Sequence, residues 1–374
     1  MSHKEYDFVI VGSGIFGAVC ARELTLAGFT CLVIEKRHHI GGNCYTENVE
    51  GIHVHKYGPH IFHTSSKKIW DYVNQFATFT NYRYNPKVMY QNKMYSFPIN
   101  LLTLSQVYGV NTPQEAEEKL QEVKIVSDHP NNLEEWILSQ IGPELYEIFI
   151  KGYTTKQWGT DPKNLPSSII KRLPIRLNFD DNYYFDTYQG IPEGGYTQIF
   201  EKLLDGIDVW VDTDYFENRE YFHSLAKRKI IYTGPIDKFY DYRFGALEYR
   251  SLDFKEQHYN LIDYQGTAGI NYTDVGVPYT RKVEHKHFEP SNEAFKKRFT
   301  VVTTEYPSRW EPGKEPYYPV NDDFNNMIYK QYKNLMDQES NFIFGGRLTD
   351  YRYYDMHQVF GSALQTIKTL LSTL

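Results

Sequence analysis

Residues 6–36, YDFVIVGSGIFGAVCARELTLAGFTCLVIEK, constrain the fold more than any other stretch of the chain. Phe8 to Val11 reads as a short buried strand. Gly12, Gly14 and Gly17 follow with the spacing GxGxxG. A helical pattern then runs to Leu26, Gly28 suits its C-terminal cap, and Cys31 to Ile34 reads as a second strand ending at Glu35. Each glycine has its own task. Gly12 permits the tight turn, Gly14 lets a pyrophosphate approach the backbone, and Gly17 lets the helix pack close to the strand. The helix N-terminus turns free N–H groups toward the phosphates. Glu35 lies 21 residues beyond Gly14, where an acid would hold a ribose hydroxyl. GxGxxG alone is a weak signal; strand, glycines, helix, strand and acid in this order predict a dinucleotide-binding unit.

The chain has 374 residues, which exceeds one ordinary domain and predicts several lobes. Residues 82–98 alternate and turn at Gln91-Asn92-Lys93, as a β-hairpin does. Helical signals occupy Leu101 to Ile150, with Thr112 as a cap, Pro113 at the first helical position and an acidic first turn. KIIYTG (229–234) reads as a buried strand returning to the nucleotide unit. Residues 246–306 favour strands, and NFIFGGRL ends one more before a C-terminal helix. The expected architecture is α/β: a discontinuous Rossmann-like domain (1–80, 190–245 and 330–374), an inserted helical lobe (100–165) and an antiparallel β-sheet domain (81–99, 166–189 and 246–329).

The net charge of −7 argues against nucleic acid as a partner, though a local arginine cluster can still attract a small anion. No apolar run approaches the roughly 18–20 residues that span a bilayer. The polar N-terminus enters a strand at once, unlike a signal peptide, so the cytoplasm is expected. Cys20, Cys31 and Cys44 have no metal-ligand spacing and read as reduced thiols. The 33 tyrosines against 23 phenylalanines suit wet pockets, or simply a polar aromatic core.

Several loops carry more chemistry than a connection needs: YGPHIFH (57–63), FIKGYTTKQWG (149–159), KRLPIR (171–176), DDNYYFD (180–186), VPYTRKVEHKHF (277–288), EPYYPV (315–320) and GGRLTDYRYYDM (345–356). In FIKGYTTKQWG a helix is expected to end at Gly152, leaving Tyr153 and Trp158 in a loop. Taken singly, each feature has a structural alternative. Arg172 could be a surface charge, Trp158 a plug, Tyr317 and Tyr318 partners for prolines. His60 and His63 could be structural or half a metal site, but no third ligand stands near them in sequence. No metal is expected. Nothing arranges a hydrolytic nucleophile, so a cofactor is expected to carry the chemistry.

RHHIGGNCYTE follows Glu35, and its glycine pair resembles FAD proteins of the amine-oxidase type more than NAD dehydrogenases. Taken in order and at matching intervals, the motifs above, with VGSGIFGAVCARE, HIGGN, TGPID and ALEYRSL, resemble the bacterial UDP-galactopyranose mutases over essentially the whole chain. That resemblance implies a flavoenzyme that interconverts UDP-galactopyranose and UDP-galactofuranose without net redox. Reduced flavin N5 would be the nucleophile at the anomeric carbon. It further implies an external reductant, a homodimer, and a supply of galactofuranose for cell-surface glycans.

The implied roles fall on particular residues. Arg172 and Arg281 match arginines on the substrate diphosphate, and His60 a histidine beside flavin and sugar; these three are the catalytic expectations. Phe149 and Tyr153 match positions that sandwich the uracil, with Thr154 beside them, and Trp158 matches the tryptophan of a mobile closing loop. Tyr183, Tyr318 and Tyr353 match phenols on the diphosphate, and Asp355 a carboxylate near the uridine. Arg250, Asn271 and Arg347 match other cleft positions. Gly12, Gly14, Phe16, Gly17, Glu35, Lys36, Gly42, Asn43, Ile61, Gly346 and Met356 match FAD contacts, as do His60, Arg347, Tyr353 and Asp355. Tyr184 stands where the family often has Phe. A flavin amine oxidase-like oxidoreductase is the rival with the same fold, but it would want an apolar tunnel in place of these arginines and tyrosines. A non-enzymatic binding module is a second rival, against which a closing Trp158 loop argues.

Overall fold

The computed structural model describes residues 5–127, 129–171, 173–311 and 313–374. The opening motif folds as its spacing predicts, into strand β1 (Tyr6–Val11), helix α1 (Ile15–Leu26) and strand β2 (Cys31–Ile34). All of β2 is buried, as a strand within a helix-covered parallel sheet should be. The hairpin β3 (Thr46–Val49) and β4 (Ile52–His55), strand β5 (Phe62–Thr64) and helix α2 (Lys67–Val73) come next. The hairpin read from residues 82–98 is β6 (Lys87–Tyr90) and β7 (Lys93–Ser96). Gln91 and Asn92 make its turn with φ of 49° and 59°, the handedness that suits twisted strands.

The helical lobe contains α3 (Leu101–Tyr108), α4 (Pro113–Val123), α5 (Leu133–Leu145), a π-helical segment (Tyr146–Lys151) and α6 (Gly152–Trp158). Thr112 and Glu115 form a capping box on α4. Leu104, Leu120, Ile137, Ile141 and Leu145 form part of the lobe's core. The expected loop after Gly152 is corrected here, since the helix continues to Trp158. Gly152 is a contact rather than a stop: a Cβ there would lie 1.9 Å from the carbonyl oxygen of Thr273. The stop is Gly159, left-handed at φ 68°.

The chain then forms β8 (Tyr188–Gly190), α7 (Thr197–Leu203), β9 (Asp208–Trp210), α8 (Arg219–Leu225), β10 (Ala226–Tyr232) and α9 (Ile236–Phe239). Strands β11 (Tyr249–Tyr259), β12 (Gly269–Tyr272), β13 (Arg281–Glu284), β14 (Thr300–Arg309) and β15 (Tyr318–Pro319) follow. Helix α10 (Asp323–Met336), strand β16 (Phe342–Phe344) and helix α11 (Met356–Leu371) end it.

Two large sheets organise these elements. One has the order β16-β10-β1-β2-β9, is parallel throughout, and draws strands from both ends and the middle of the chain. Helix α11 packs on α1 beside it. The other has the order β15-β11-β14-β13-β12-β6-β7. It is antiparallel, as expected, except that β12 meets β6 in parallel. A parallel neighbour cannot arrive through a tight turn, and β6 comes from a separate, earlier stretch of chain. Cys20, Cys31 and Cys44 are buried and free. Among the described residues no helix is long and apolar enough to cross a membrane.

Candidate active site

A glycine cradle forms where β1 meets α1. Gly12 turns with φ 101°, and a Cβ there would sit 2.3 Å from Thr233 Oγ1. A Cβ on Gly17 would sit 2.0 Å from the Gly12 carbonyl oxygen, so α1 lies directly against the turn. Gly14, by contrast, has nothing within 4 Å of where its Cβ would be. No side chain caps α1, and no acid occupies its first turn. Backbone donors, an uncapped positive helix end and open space over Gly14 together fit a pyrophosphate. Glu35 Oε2 accepts from Ser13 N at 2.9 Å and Ser13 Oγ at 2.7 Å, and Oε1 accepts from Arg37 N at 3.0 Å. The carboxylate retains lone pairs for a further donor such as a ribose hydroxyl.

Other expected cofactor contacts converge on this cradle. A Cβ on Gly42 would lie 3.1 Å from the Gly14 Cα, and one on Gly345 would lie 2.1 Å from the ring of Phe16. Gly346 is left-handed at φ 98°. Asn43 Oδ1 accepts from Arg37 Nη2 at 2.9 Å, while Lys36 and Arg37 both pair with Glu315. Met356 places its sulfur 3.7 Å from Cys44 Sγ.

Next to the cradle lies a cavity of about 390 Å³. Val88, Phe97, Phe149, Ile150, Ile170 and Leu173 make part of its wall apolar. The Phe97 and Phe149 rings lie nearly parallel with centroids 6.0 Å apart. Tyr153, Thr154, Tyr183, Asn271, Arg281, Tyr318, Tyr353 and Asp355 supply polar groups, and Pro59 and Ile61 belong to the segment that leads back to the cradle. Residues expected at the substrate from five separate motifs, with Asn271 of β12, thus share one cavity. Phe149 and Thr154 reach it because the π-helical segment and α6 form one continuous rod. Arg281 reaches it from the first position of β13, opposite Glu305 of β14.

The Arg281 guanidinium is the cavity's buried charge. Its Nη2 donates to Tyr153 Oη at 3.0 Å, and its Nε lies 3.6 Å from Glu305 Oε2. Burial penalises the cation, yet Glu305 and the neighbouring tyrosines hold its pKa well above the ordinary arginine value. Burial raises the Glu305 carboxyl, and Arg281 pulls it back. The buried Arg281 Nε and Asn271 Oδ1 have no hydrogen-bond partner among the described residues, which leaves polar capacity for a ligand. Burial also pushes the Tyr84 phenol up to about 12 and raises Tyr318, so both stay protonated donors.

His60, flanked by the lining residues Pro59 and Ile61, is a neutral imidazole. Its Nδ1 donates to the Gly58 carbonyl at 2.8 Å, which leaves Nε2 as an acceptor. Burial draws its pKa down to about 4, helped by Arg347 and opposed by the Gly58 carbonyl. Its backbone N–H donates to His55 Nδ1 at 3.1 Å, and the His55 N–H in turn donates to His285 Nδ1 at 3.3 Å. Arg347 donates to the Tyr317 carbonyl at 2.7 Å and lies over Tyr353, 5.2 Å from its ring centroid.

Three expectations change. Arg250 does not line the cavity; its Nε and Nη2 donate to the carbonyls of Gln157 and Lys156 at 2.8 and 3.3 Å, closing the C-terminal end of α6. Trp158 lies outside the cavity lining, on the last position of α6, with its ring centroid 6.5 Å from that of Tyr318. His63, given no third companion by its sequence neighbours, has Asp355 and His357 beside it in space, their ligand atoms within 4.8 Å of one another. Its Nδ1 donates to Asp186 at 2.5 Å. Arg172 lies outside the described residues. Sequence reading missed Tyr84 and Phe97 in the cavity lining and Glu305 beside Arg281. Glu305 is the lone acid of the strand FTVVTTEYP, which by itself reads as a solvent-facing position.

Comparison with known proteins bears on this arrangement. Residues 148–353, more than half of the chain, match the family model of UDP-galactopyranose mutase, and residues 10–76 match that of an NAD(P)-binding Rossmann-like domain. The chain is 41% identical to a probable UDP-galactopyranose mutase of Klebsiella pneumoniae, over 98% of this chain and 95% of the relative. It is 40% identical to the dTDP-fucopyranose mutase of Escherichia coli, over 96% of each. Its fold matches the crystal structure of a reduced UDP-galactopyranose mutase with a TM-score of 0.75 at 15% identity, covering 99% of this chain and 94% of the other. The chain therefore belongs to the UDP-galactopyranose mutase family and is an isomerase.

Proposed function

We propose that this enzyme interconverts UDP-galactopyranose and UDP-galactofuranose on bound, reduced FAD, and so supplies galactofuranose for cell-surface glycans. One observation carries the reading: a buried Arg281 cation and several phenols share a cavity with an apolar aromatic end, beside a cradle suited to a dinucleotide. The glycine cradle, Glu35, Asn43, Ile61, Gly346 and Met356 would hold the FAD. When bound and reduced, the flavin supplies a nucleophilic nitrogen, N5, for the anomeric carbon.

The protein's own residues account for the rest. Phe149 and Tyr153 would sandwich the uracil, with Phe97 beside Phe149. Arg281 faces the diphosphate and offsets its charge as the bond to the sugar breaks, with Tyr183, Tyr318 and Tyr353 donating around it. Arg172 keeps its expected place on the diphosphate from sequence alone. His60, neutral, offers Nε2 as an acceptor near the sugar. Exposed Leu102, Ile125 and Val126 of the helical lobe support a homodimer through that lobe. An external reductant completes the working system.

A second reading has its own support, because the dTDP-fucopyranose mutase relative is as similar as the probable UDP-galactopyranose mutase. One experiment separates them. Purified protein should be yellow, and after dithionite reduction it should convert UDP-galactofuranose to UDP-galactopyranose on chromatography, with little conversion when oxidised. dTDP-fucopyranose is run in parallel. Faster turnover of that sugar moves the assignment to it, and equal activity in both redox states sinks the flavin-nucleophile reading.

A further inference from the structure

Lys156 has no part in the reaction described above, yet it makes an unusual set of contacts. Its ammonium donates to four backbone carbonyls: Tyr272 at 2.8 Å, Asp274 at 2.8 Å, Val277 at 3.0 Å and Tyr279 at 2.9 Å. All four belong to the end of β12 and the turn that leads to β13. Three N–H donors are thus shared among four acceptors arranged around one point. Even with burial drawing its pKa down to about 8, the amine carries its charge at neutral pH.

Lys156 stands four residues after Gly152, on the same face of α6. Gly152 brings the helix backbone against the Thr273 carbonyl, and Lys156 clasps the remainder of the same turn. The Asp274 carboxylate accepts from the Gln91 N–H at 2.8 Å, so its side chain ties the turn onward to the β6–β7 hairpin. From the other side, Arg250 closes the end of the helix.

The two elements joined in this way are adjoining walls of the cavity, bridged also by the Arg281–Tyr153 hydrogen bond. Helix α6 carries Tyr153 and Thr154, while β12 and β13 carry Asn271 and Arg281. We propose that Lys156 is a positioning residue for nucleotide binding: its ammonium fixes the spacing between α6 and the β12–β13 turn, and with it the geometry of the diphosphate site. The proposal rests on the reading of this cavity as a UDP site. It requires a cation at the centre of the four carbonyls, not merely a side chain that fills space.

The test uses the flavin-loaded protein and UDP as probe. Lys156→Ala should weaken UDP by roughly ten- to hundredfold, the range of a lost charge-assisted hydrogen bond. Propylammonium replaces the deleted atoms from Cγ to Nζ and should restore most of that affinity; propan-1-ol, its neutral isostere, should not. Lys156→Met keeps the stem without the charge, so it stands in if the alanine variant does not fold. It should also speed amide hydrogen exchange in residues 152–159 and 273–280 with no nucleotide present. Wild-type affinity in either variant, equal effects of amine and alcohol, or unchanged exchange overturns the positioning role. Failure of the wild-type protein to bind UDP would instead defeat the reading of the cavity itself.

Discussion

Removing the Arg281 side chain does two separable things. It withdraws the cation proposed to face the diphosphate, so Arg281→Ala should lower kcat/KM by roughly 10²–10³-fold while the flavin absorbance persists. It also leaves Glu305 buried without its counter-charge, which costs about 3–5 kcal/mol in comparable cases. The double variant Arg281→Ala/Glu305→Gln should recover stability in thermal unfolding and stay inactive; recovery of both would remove Arg281 from the chemistry. A pH effect belongs to this scale as well. His60 and His285 are held by burial at about 4 and about 3, below the ordinary histidine value of roughly 6.5. Between those values the unfolded chain binds protons that the folded chain refuses, so this stability is full above pH 6.5 and is lost as pH falls toward 3. The loss should be on the order of a few kcal/mol, visible in urea midpoints, and smaller in His285→Gln. Arg281, Tyr153 and Tyr318 were legible because each sits in a dense motif. Glu305 was not, because a single acid in a strand reads as a solvent-facing position; the register that sets it opposite Arg281 exists only in the folded sheet.

At the scale of elements, α6 shows where local signals stop. The capping box of α4 and the β6–β7 turn could be read directly, since both depend on residues a few positions apart. Gly152 could not, because a glycine announces a special backbone need without saying whether that need is positive φ or close approach. Here it is close approach. Gly152→Ala should therefore leave the helix formed but push it off the β12–β13 turn, at about 1–3 kcal/mol by the usual cost of overpacking. UDP affinity should fall with it, and Trp158 fluorescence should report the displaced helix end. An alanine variant with unchanged affinity and spectrum would show that the turn yields instead. The parallel β6·β12 contact was illegible for a related reason: strand neighbours far apart in sequence leave no local mark.

For the whole molecule, the parallel sheet cannot be assembled from any one contiguous piece. The β1–α1–β2 unit was legible from its glycines, but its sheet neighbours β10 and β16 are recognisable only as short apolar strands. Ending the chain at residue 340 would remove β16, the Gly345–Gly346 turn against Phe16, and α11, which covers α1. The truncated protein should lose its near-ultraviolet circular dichroism and bind no flavin; a yellow, cooperatively unfolding fragment would contradict this. The same arrangement sets an order of events during synthesis. Val11 and Gly12 leave the ribosome long before Phe344 and Met356 do. A nascent chain therefore carries the glycine turn through synthesis of every element in between with one side of the cradle missing, and loading of any dinucleotide waits for β16 and α11 to emerge.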